Sequence, residues 1–143
     1  MKKVILLVGL LLVAFNGYAG VCNNGSLVGA YNYNGSGVNI GQGEHDVGRI
    51  NFNGKGVATF SGIETSSGWA VGISGSGTYS VSAACIVVGT INWTNGVKTT
   101  YWLYLDNMDT APVVSVAYHG NLVLKTTSGH SGSGTLDRVI GKF

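Results

Sequence analysis

The fold is decided by one stretch of alternating residues, Val47-Gly48-Arg49-Ile50-Asn51-Phe52-Asn53-Gly54-Lys55-Gly56-Val57-Ala58-Thr59-Phe60-Ser61. Ile50 and Phe52 alternate with polar neighbours up to the dipeptide Asn53-Gly54, and a second alternating run follows. An Asn-Gly pair between two such runs is a strong hairpin signal, because a two-residue turn needs positive φ at both central positions. The stretch therefore predicts two antiparallel strands joined at Asn53-Gly54.

Working outward, short apolar runs separated by Gly, Asn and Ser recur toward both ends of the chain, and no window shows helical periodicity. A second pair, Asn95-Gly96, predicts another hairpin. We interpret residues 34–43 and 128–134 as loops, and residues 75–77 and 119–121 as turns. The resulting eight to ten strands predict an all-β domain, either a single antiparallel up-and-down barrel of about eight strands or a β-sandwich. The predominance of hairpin connections favours the barrel.

The N-terminal segment has the pattern of a secretory signal. Lys2 and Lys3 precede an apolar run at residues 4–15, and Gly17-Tyr18-Ala19 forms a small-x-small cleavage site. The run of about a dozen residues is shorter than the ~20 that span a bilayer as a helix. We therefore expect residues 1–19 to be a signal peptide and residues 20–143 to be one barrel domain, exported to the periplasm or the extracellular space.

The charge balance excludes some classes of partner. The formal net charge of +2 includes Lys2 and Lys3, so residues 20–143 carry equal numbers of basic and acidic side chains. A balanced surface has no extended basic field for nucleic acid and no polybasic patch for anionic lipid. We expect neither nucleic acid nor a membrane as a partner.

The two cysteines, Cys22 and Cys85, both follow the predicted signal. In an oxidising compartment, two cysteines allow one pairing, which we predict. The closed loop of about 64 residues would stabilise the fold by about 4 kcal/mol in the chain-entropy model. Neither cysteine has a second Cys or a His at metal-ligand spacing, so no metal is predicted there.

These residues carry a resemblance to small exported bacterial barrels of the calycin type, which are lipocalin-like and allene-oxide-cyclase-like. The shared pattern is a Cys, an SLxGxY strand, a GxxxFDGxG hairpin, a GTYTV strand and a second Cys. This chain has the pattern at Cys22, residues 25–31, residues 48–56, residues 77–81 and Cys85. It departs at Asn53, where the pattern usually has Asp, and either residue serves the turn. The resemblance implies a barrel fold and export, and it brings no catalytic set.

Few residues suggest chemistry. Glu44-His45-Asp46, with His119 and His130, could form a His/carboxylate metal site or an acid/base pair. The alternative is a solvated loop, which we favour. We therefore predict no catalytic residue, no metal site and no cofactor.

Aromatic residues suggest a ligand site instead. Residues 101–105 are apolar on both faces, with Trp102 and Tyr104 on one of them, whereas a strand with one wet face should alternate. Either these two side chains fill the barrel, or they line a ligand cavity, or they form an outer interface. Tyr31, Tyr33, Trp102 and Tyr104 are the candidate ligand-binding residues.

The sequence thus favours an exported, non-enzymatic binding or accessory protein. Its expected partner is a small apolar ligand, or a second copy or another protein that covers an exposed surface. One alternative is a small outer-membrane barrel, suggested by the terminal Phe143. Another is a cyclase-like barrel enzyme, in which the cavity would converge on polar groups with perturbed pKa values.

Overall fold

The computed structural model describes residues 22–39, 42–66, 68–109, 116–126 and 131–140. Among these residues, none forms a helix long and apolar enough to span a bilayer. The predicted signal peptide, residues 1–19, lies outside them. A short 3-10 helix at Asn24–Ser26 precedes eight strands: β1 Val28–Asn39, β2 Gln42–Asn53, β3 Val57–Ser66, β4 Trp69–Val81, β5 Ile86–Trp93, β6 Lys98–Asp109, β7 Val116–Thr126 and β8 Ser131–Arg138.

The strands form a closed antiparallel barrel. Each strand pairs with the next one in the chain, and β8 pairs with β1. This confirms the predicted up-and-down barrel over the sandwich. The β1–β8 seam places Gly35 opposite Gly134 and Gly37 opposite Gly132, so glycines face each other across it.

Several predicted loops and turns are strand. Residues 34–39 continue β1 and pair with β2, and residues 34–38 pair with β8 as well, while residues 75–77 pair with both β3 and β5. Residues 119–121 continue β7, and β8 begins at Ser131, inside the predicted loop 128–134. The physical reason is that neighbours on both sides supply the backbone hydrogen bonds, which overrides the weak intrinsic strand preference of Gly and Ser.

The predicted central hairpin is confirmed, but its turn is longer than two residues. Gly54 and Gly56 take positive φ, of 72° and 98°, while the Asn53 side chain accepts hydrogen bonds from the backbone N–H groups of Lys55 and Val57. This turn places Asp46 of β2 opposite Glu64 of β3. A two-residue turn would shift β3 by an odd number of residues and point Glu64 to the other face of the sheet.

One end of the barrel, which we call the closed end, is packed with aromatic rings. Phe52 meets Tyr31 and Tyr79 edge to face, with ring centroids 5.5 and 5.0 Å apart. The Tyr31 hydroxyl donates to the Ala117 carbonyl at 2.8 Å, and the Tyr79 hydroxyl donates to the Leu27 carbonyl at 2.9 Å. These buried hydroxyls therefore have partners, as close packing requires.

The predicted disulfide between Cys22 and Cys85 is confirmed, with Cα atoms 5.1 Å apart. It joins the segment before the 3-10 helix to the residue that precedes β5. Leu27, between that helix and β1, is fully buried in the core. The N-terminal segment thereby covers the closed end, where the disulfide holds it in place.

Candidate functional site

The opposite end of the barrel, the open end, contains a cavity of about 270 Å³. Several inward-facing positions in this half of the barrel are glycines, such as Gly37 and Gly132, and these leave the volume unfilled. Acidic side chains form one part of the wall and apolar side chains another. The lining residues are Ser36, Gly37, Glu44, Asp46, Glu64, Ile73, Trp93, Asn95, Val97, Thr99, Leu124, Ser131 and Gly132.

The acidic part of the wall consists of Glu44, Asp46 and Glu64, which we call the acidic cluster. Glu44 and Asp46 are alternate residues of β2 and share its inward face, and Glu64 lies opposite Asp46 on β3. One carboxylate oxygen from each residue lies within 4.8 Å of the others. Only 6% of Glu44 is exposed, so this cluster is part of the barrel interior.

The environment of the cluster favours the protonated forms of Glu44 and Asp46. Burial, a hydrogen bond with Glu64 and the charges of Glu64 and Asp46 raise the pKa of Glu44 to about 8. Burial and the charge of Glu64 raise the pKa of Asp46 to about 6, against a smaller opposing effect of His45. Glu44 and Asp46 therefore exchange protons near neutral pH.

Tyr33 lies beneath the acidic cluster and is 7% exposed. Its ring occupies the space beside Gly48 and Gly62, where an added Cβ would come within 2.7 Å of the ring edge and of the hydroxyl, respectively. Gly48 is the inward position next to Asp46 on β2, and Gly62 is the inward position next to Glu64 on β3, both on the side of the closed end. The hydroxyl finds no hydrogen-bond partner among the described residues, and burial followed by the charges of Asp46 and Glu64 raises its pKa.

The apolar part of the wall is built around Trp93. Its indole N–H donates to the Thr99 hydroxyl at 2.7 Å, and its ring lies 5.9 Å from that of Phe60. These two contacts fix the ring orientation. Ile73 and Leu124 also line the cavity.

The β3–β4 hairpin forms a lip at the mouth of the cavity. β4 pairs with β5 only from Gly75 onward, so the preceding residues extend beyond β5. Trp69 and Val71 share the strand face of Ile73, and Trp69 is 78% exposed. Apolar side chains therefore stand beside the entrance.

The four candidate ligand-binding residues lie in three different places. Tyr33 lies below the cavity and lines a separate void of about 20 Å³ together with Asp46, and Tyr31 lies in the closed-end core. Trp102 and Tyr104 lie on the outer face, 40% and 57% exposed, because their odd-numbered neighbours, such as Leu103, point into the barrel. Of the alternatives left open for Trp102 and Tyr104, the outer surface is the one that the structure shows.

The structure matches neither interpretation of the histidine pattern, the His/carboxylate site or the solvated loop. His45 points outward from β2, His119 pairs with Asp137 on the outer face at 2.7 Å, and residue 130 lies outside the described residues. The solvated-loop interpretation is wrong for Glu44, which is buried within a strand. The sequence did not indicate Glu64 as a site residue. Only the register of the central hairpin, which places Glu64 opposite Asp46, could have done so.

The arrangement can attract a cation and can exchange a proton with a bound molecule. Three carboxyl groups meet at one wall, and the described lining residues include no His, Cys, Lys or Arg. A molecule in the cavity would contact the acidic cluster on one side and the Trp93 ring on another. These are properties of a binding site with polar and apolar halves.

No family model and no curated protein matches this chain. Its fold is similar to those of designed β-barrels of known structure. A redesigned barrel, b11L5F_LGL, has a TM-score of 0.60 at 20% identity, over 85% of this chain and 99% of that one. A redesigned barrel, mFAP1, solved with DFHBI bound, has a TM-score of 0.55 at 17% identity, over 80% of this chain and 97% of that one. A fluorescence-activating barrel designed de novo has a TM-score of 0.53 at 15% identity, over 78% of this chain and 93% of that one.

Proposed function

We propose that this chain is an exported, non-enzymatic binding protein that holds a small molecule in the open-end cavity. The observation that carries the proposal is a cavity of about 270 Å³ in one half of a barrel whose other half is packed. Eight-stranded barrels are wide enough to hold one small ligand when side chains do not fill them. The ligand would bury its apolar surface against Trp93 and Leu124.

The similar structures support the proposal, since mFAP1 has this fold and was solved with DFHBI bound. Export is supported by the disulfide, which persists in oxidising compartments, and by the signal pattern at residues 1–19. The lining favours holding a molecule over converting it, because the described lining residues supply carboxyl groups but no basic or thiol partner. The outer face carries exposed Arg49 and Lys125, charged side chains that are unfavourable on the lipid-facing surface of a membrane barrel.

The test uses N-phenyl-1-naphthylamine, a neutral probe whose fluorescence rises in apolar surroundings. The wild-type protein should bind it. Ile73→Trp, which adds bulk to the cavity wall, should weaken binding about tenfold or more. Ile63→Trp is the matched control, since Ile63 is half exposed on the outer face of neighbouring β3.

Wild-type protein that leaves the probe fluorescence unchanged would contradict the proposal. So would equal weakening by both variants, because the site would then lie elsewhere. Thermal melting of each variant shows whether it is folded before its titration is interpreted.

A second candidate function, association through the outer surface, is favoured by an exposed apolar patch on β5, β6 and β7. Val88, Trp102 and Val123 are in register across these strands and are each at least 40% exposed. Exposed patches of this kind often mark interfaces. Sedimentation equilibrium should show a dimer that Trp102→Ser converts to monomer, whereas a monomeric wild type would exclude self-association.

A further inference from the structure

We infer that the ligand of the open-end cavity is an organic cation, an ammonium group carried on a flat apolar body. This inference rests on the proposed function, and it adds the chemical class of the ligand. The ammonium group would contact the acidic cluster and Tyr33, and the apolar body would lie against Trp93. The assignment is based on the side chains of the cavity wall. Neither the designed barrels nor the sequence resemblance indicates it.

The charge distribution gives the first argument. Glu44, Asp46 and Glu64 converge within 4.8 Å, and the described cavity lining includes no Lys or Arg side chain. Bringing carboxyl groups together inside a barrel is unfavourable unless they are protonated or paired with a cation. A ligand cation would therefore be attracted more strongly here than at the surface.

Unpartnered polar atoms give a second, independent argument. The Tyr33 hydroxyl is buried beneath the cluster and has no hydrogen-bond partner among the described residues, and the same is true of one carboxylate oxygen of Asp46. Buried polar atoms usually have a partner. Asp46 lines both the cavity and the void of about 20 Å³ beside Tyr33, so the three N–H donors of a primary ammonium can serve Asp46 and Glu64 from the cavity and Tyr33 through that void.

The apolar wall distinguishes an organic cation from a bare metal ion. A calcium ion takes six to eight oxygen ligands and needs no apolar contact. The cavity is large enough for a two-ring molecule, and Trp93, Leu124 and Ile73 provide its apolar wall. The face of a Trp ring also attracts cations directly.

The affinity should rise with pH, because deprotonation of Glu44 and Asp46 adds negative charge that holds the ligand. The titratable groups at the site are Tyr33 on β1, Glu44 and Asp46 on β2, and Glu64 on β3, with His45 acting from outside. On β4 to β8, the described residues that line the cavity or the void beside Tyr33 add one more titratable side chain, Tyr101 of β6. Binding should therefore strengthen between about pH 5 and pH 8, where an alkylammonium stays charged and Asp46 and Glu44 lose their protons.

The experiment compares two probes of the same shape by calorimetry at pH 7.5, on the full exported chain. 1-Naphthylmethylamine carries the ammonium group, and 1-naphthylmethanol is its neutral counterpart. We expect the amine to bind at least about tenfold more tightly. Glu64→Gln should remove most of this preference, and Tyr33→Phe should reduce it, without weakening the alcohol. Asp137→Asn, at an outer-face carboxylate, should leave both affinities unchanged.

The outcomes separate this inference from the proposed function. Equal affinity for the two probes would overturn the cation assignment while leaving the cavity as a ligand site. Calcium chloride that binds and requires the acidic cluster, with no binding of the amine, would overturn it in favour of a metal site. Absence of binding by both naphthyl probes and by N-phenyl-1-naphthylamine would overturn the proposed function itself. Asp46→Asn replaces Glu64→Gln if that variant does not melt cooperatively.

Discussion

The two ends of the barrel contain opposite interiors, although the same eight strands run through both. At the closed end, Phe52 packs between Tyr31 and Tyr79, whereas at the open end inward positions such as Gly37 and Gly132 leave a cavity. The sheet is continuous from one end to the other. The size of the inward residues, and not the pairing of the strands, therefore separates core from cavity.

The two ends also differ in how their buried tyrosine hydroxyls are satisfied. At the closed end, those of Tyr31 and Tyr79 donate to backbone carbonyls, while that of Tyr33, beneath the acidic cluster, has no partner among the described residues. Unpartnered buried oxygens are not confined to the open end, since one carboxylate oxygen of Asp106, opposite His119, is another. Proteins tend to break packing rules where function requires it. The closed end thus stabilises the fold, whereas the unpartnered polar groups of the open end lower its stability.

Removal of the disulfide should have the largest effect, because it holds the N-terminal segment on the closed end. The double variant Cys22→Ser, Cys85→Ser should lose about 4 kcal/mol of unfolding free energy. Urea denaturation with and without reductant measures this. A loss below about 1 kcal/mol would show that packing alone holds the segment.

Truncation of an inward residue should lower the unfolding free energy much more at the closed end than at the open end. Phe52→Ala should lose about 3 kcal/mol, since it leaves a hole between two rings. Ile73→Ala should lose less than about 1 kcal/mol, because the half-exposed Ile73 side chain already borders a cavity. Similar losses for the two variants in urea denaturation would contradict the comparison.

Replacement of a glycine by a larger residue should lower the unfolding free energy much more in the closed-end turn than in the open-end hairpin. Gly54→Val should lose about 2 kcal/mol, because a β-branched residue is strained at the positive φ of 72°. Gly72→Val is the control, since an added Cβ there meets nothing within 4 Å and its φ is not positive. Melting curves that fall equally for both variants would show that this turn is not rigid.

A change of pH should have the smallest effect on the unfolding free energy, and this effect should arise at the open end. The pKa of Glu44 is about 8 in the folded protein, against an ordinary 4.5, so the folded state binds more protons between these values. The unfolding free energy should therefore fall as pH rises from about 4.5 to 8. Glu44→Gln should remove part of this slope and stabilise the protein by about 1 kcal/mol at pH 8.5, a value discounted for solvent at the mouth. Steeper pH dependence in the variant would contradict this account.

The fold could be predicted from sequence because its signals are local. Asn53-Gly54, Asn95-Gly96 and the two cysteines each predict a connection that the structure contains. Strand length was harder, since residues 34–39 look like a loop and become strand only when β2 and β8 lie on both sides.

The candidate site could be predicted only in part. The sequence shows Glu44 and Asp46 two residues apart but favours a solvated loop there, and Glu64 joins them only through a register that depends on the length of the β2–β3 turn. Likewise, Tyr33 reaches the cluster because Gly48 and Gly62 on other strands make room for its ring. Such features depend on how distant segments combine, and composition does not reveal them.

The glycine seam between β1 and β8 limits how this sequence can change over evolutionary time. An added Cβ at Gly37, Gly132 or Gly134 would lie 2.6, 2.9 or 2.3 Å from a backbone oxygen of the opposite strand. Drift at these positions is therefore restricted to glycine as long as the seam keeps this geometry. Distant relatives with the same open end should be recognisable by alternating glycines in the first and last strands of the barrel, even after the rest of the sequence has diverged beyond detection.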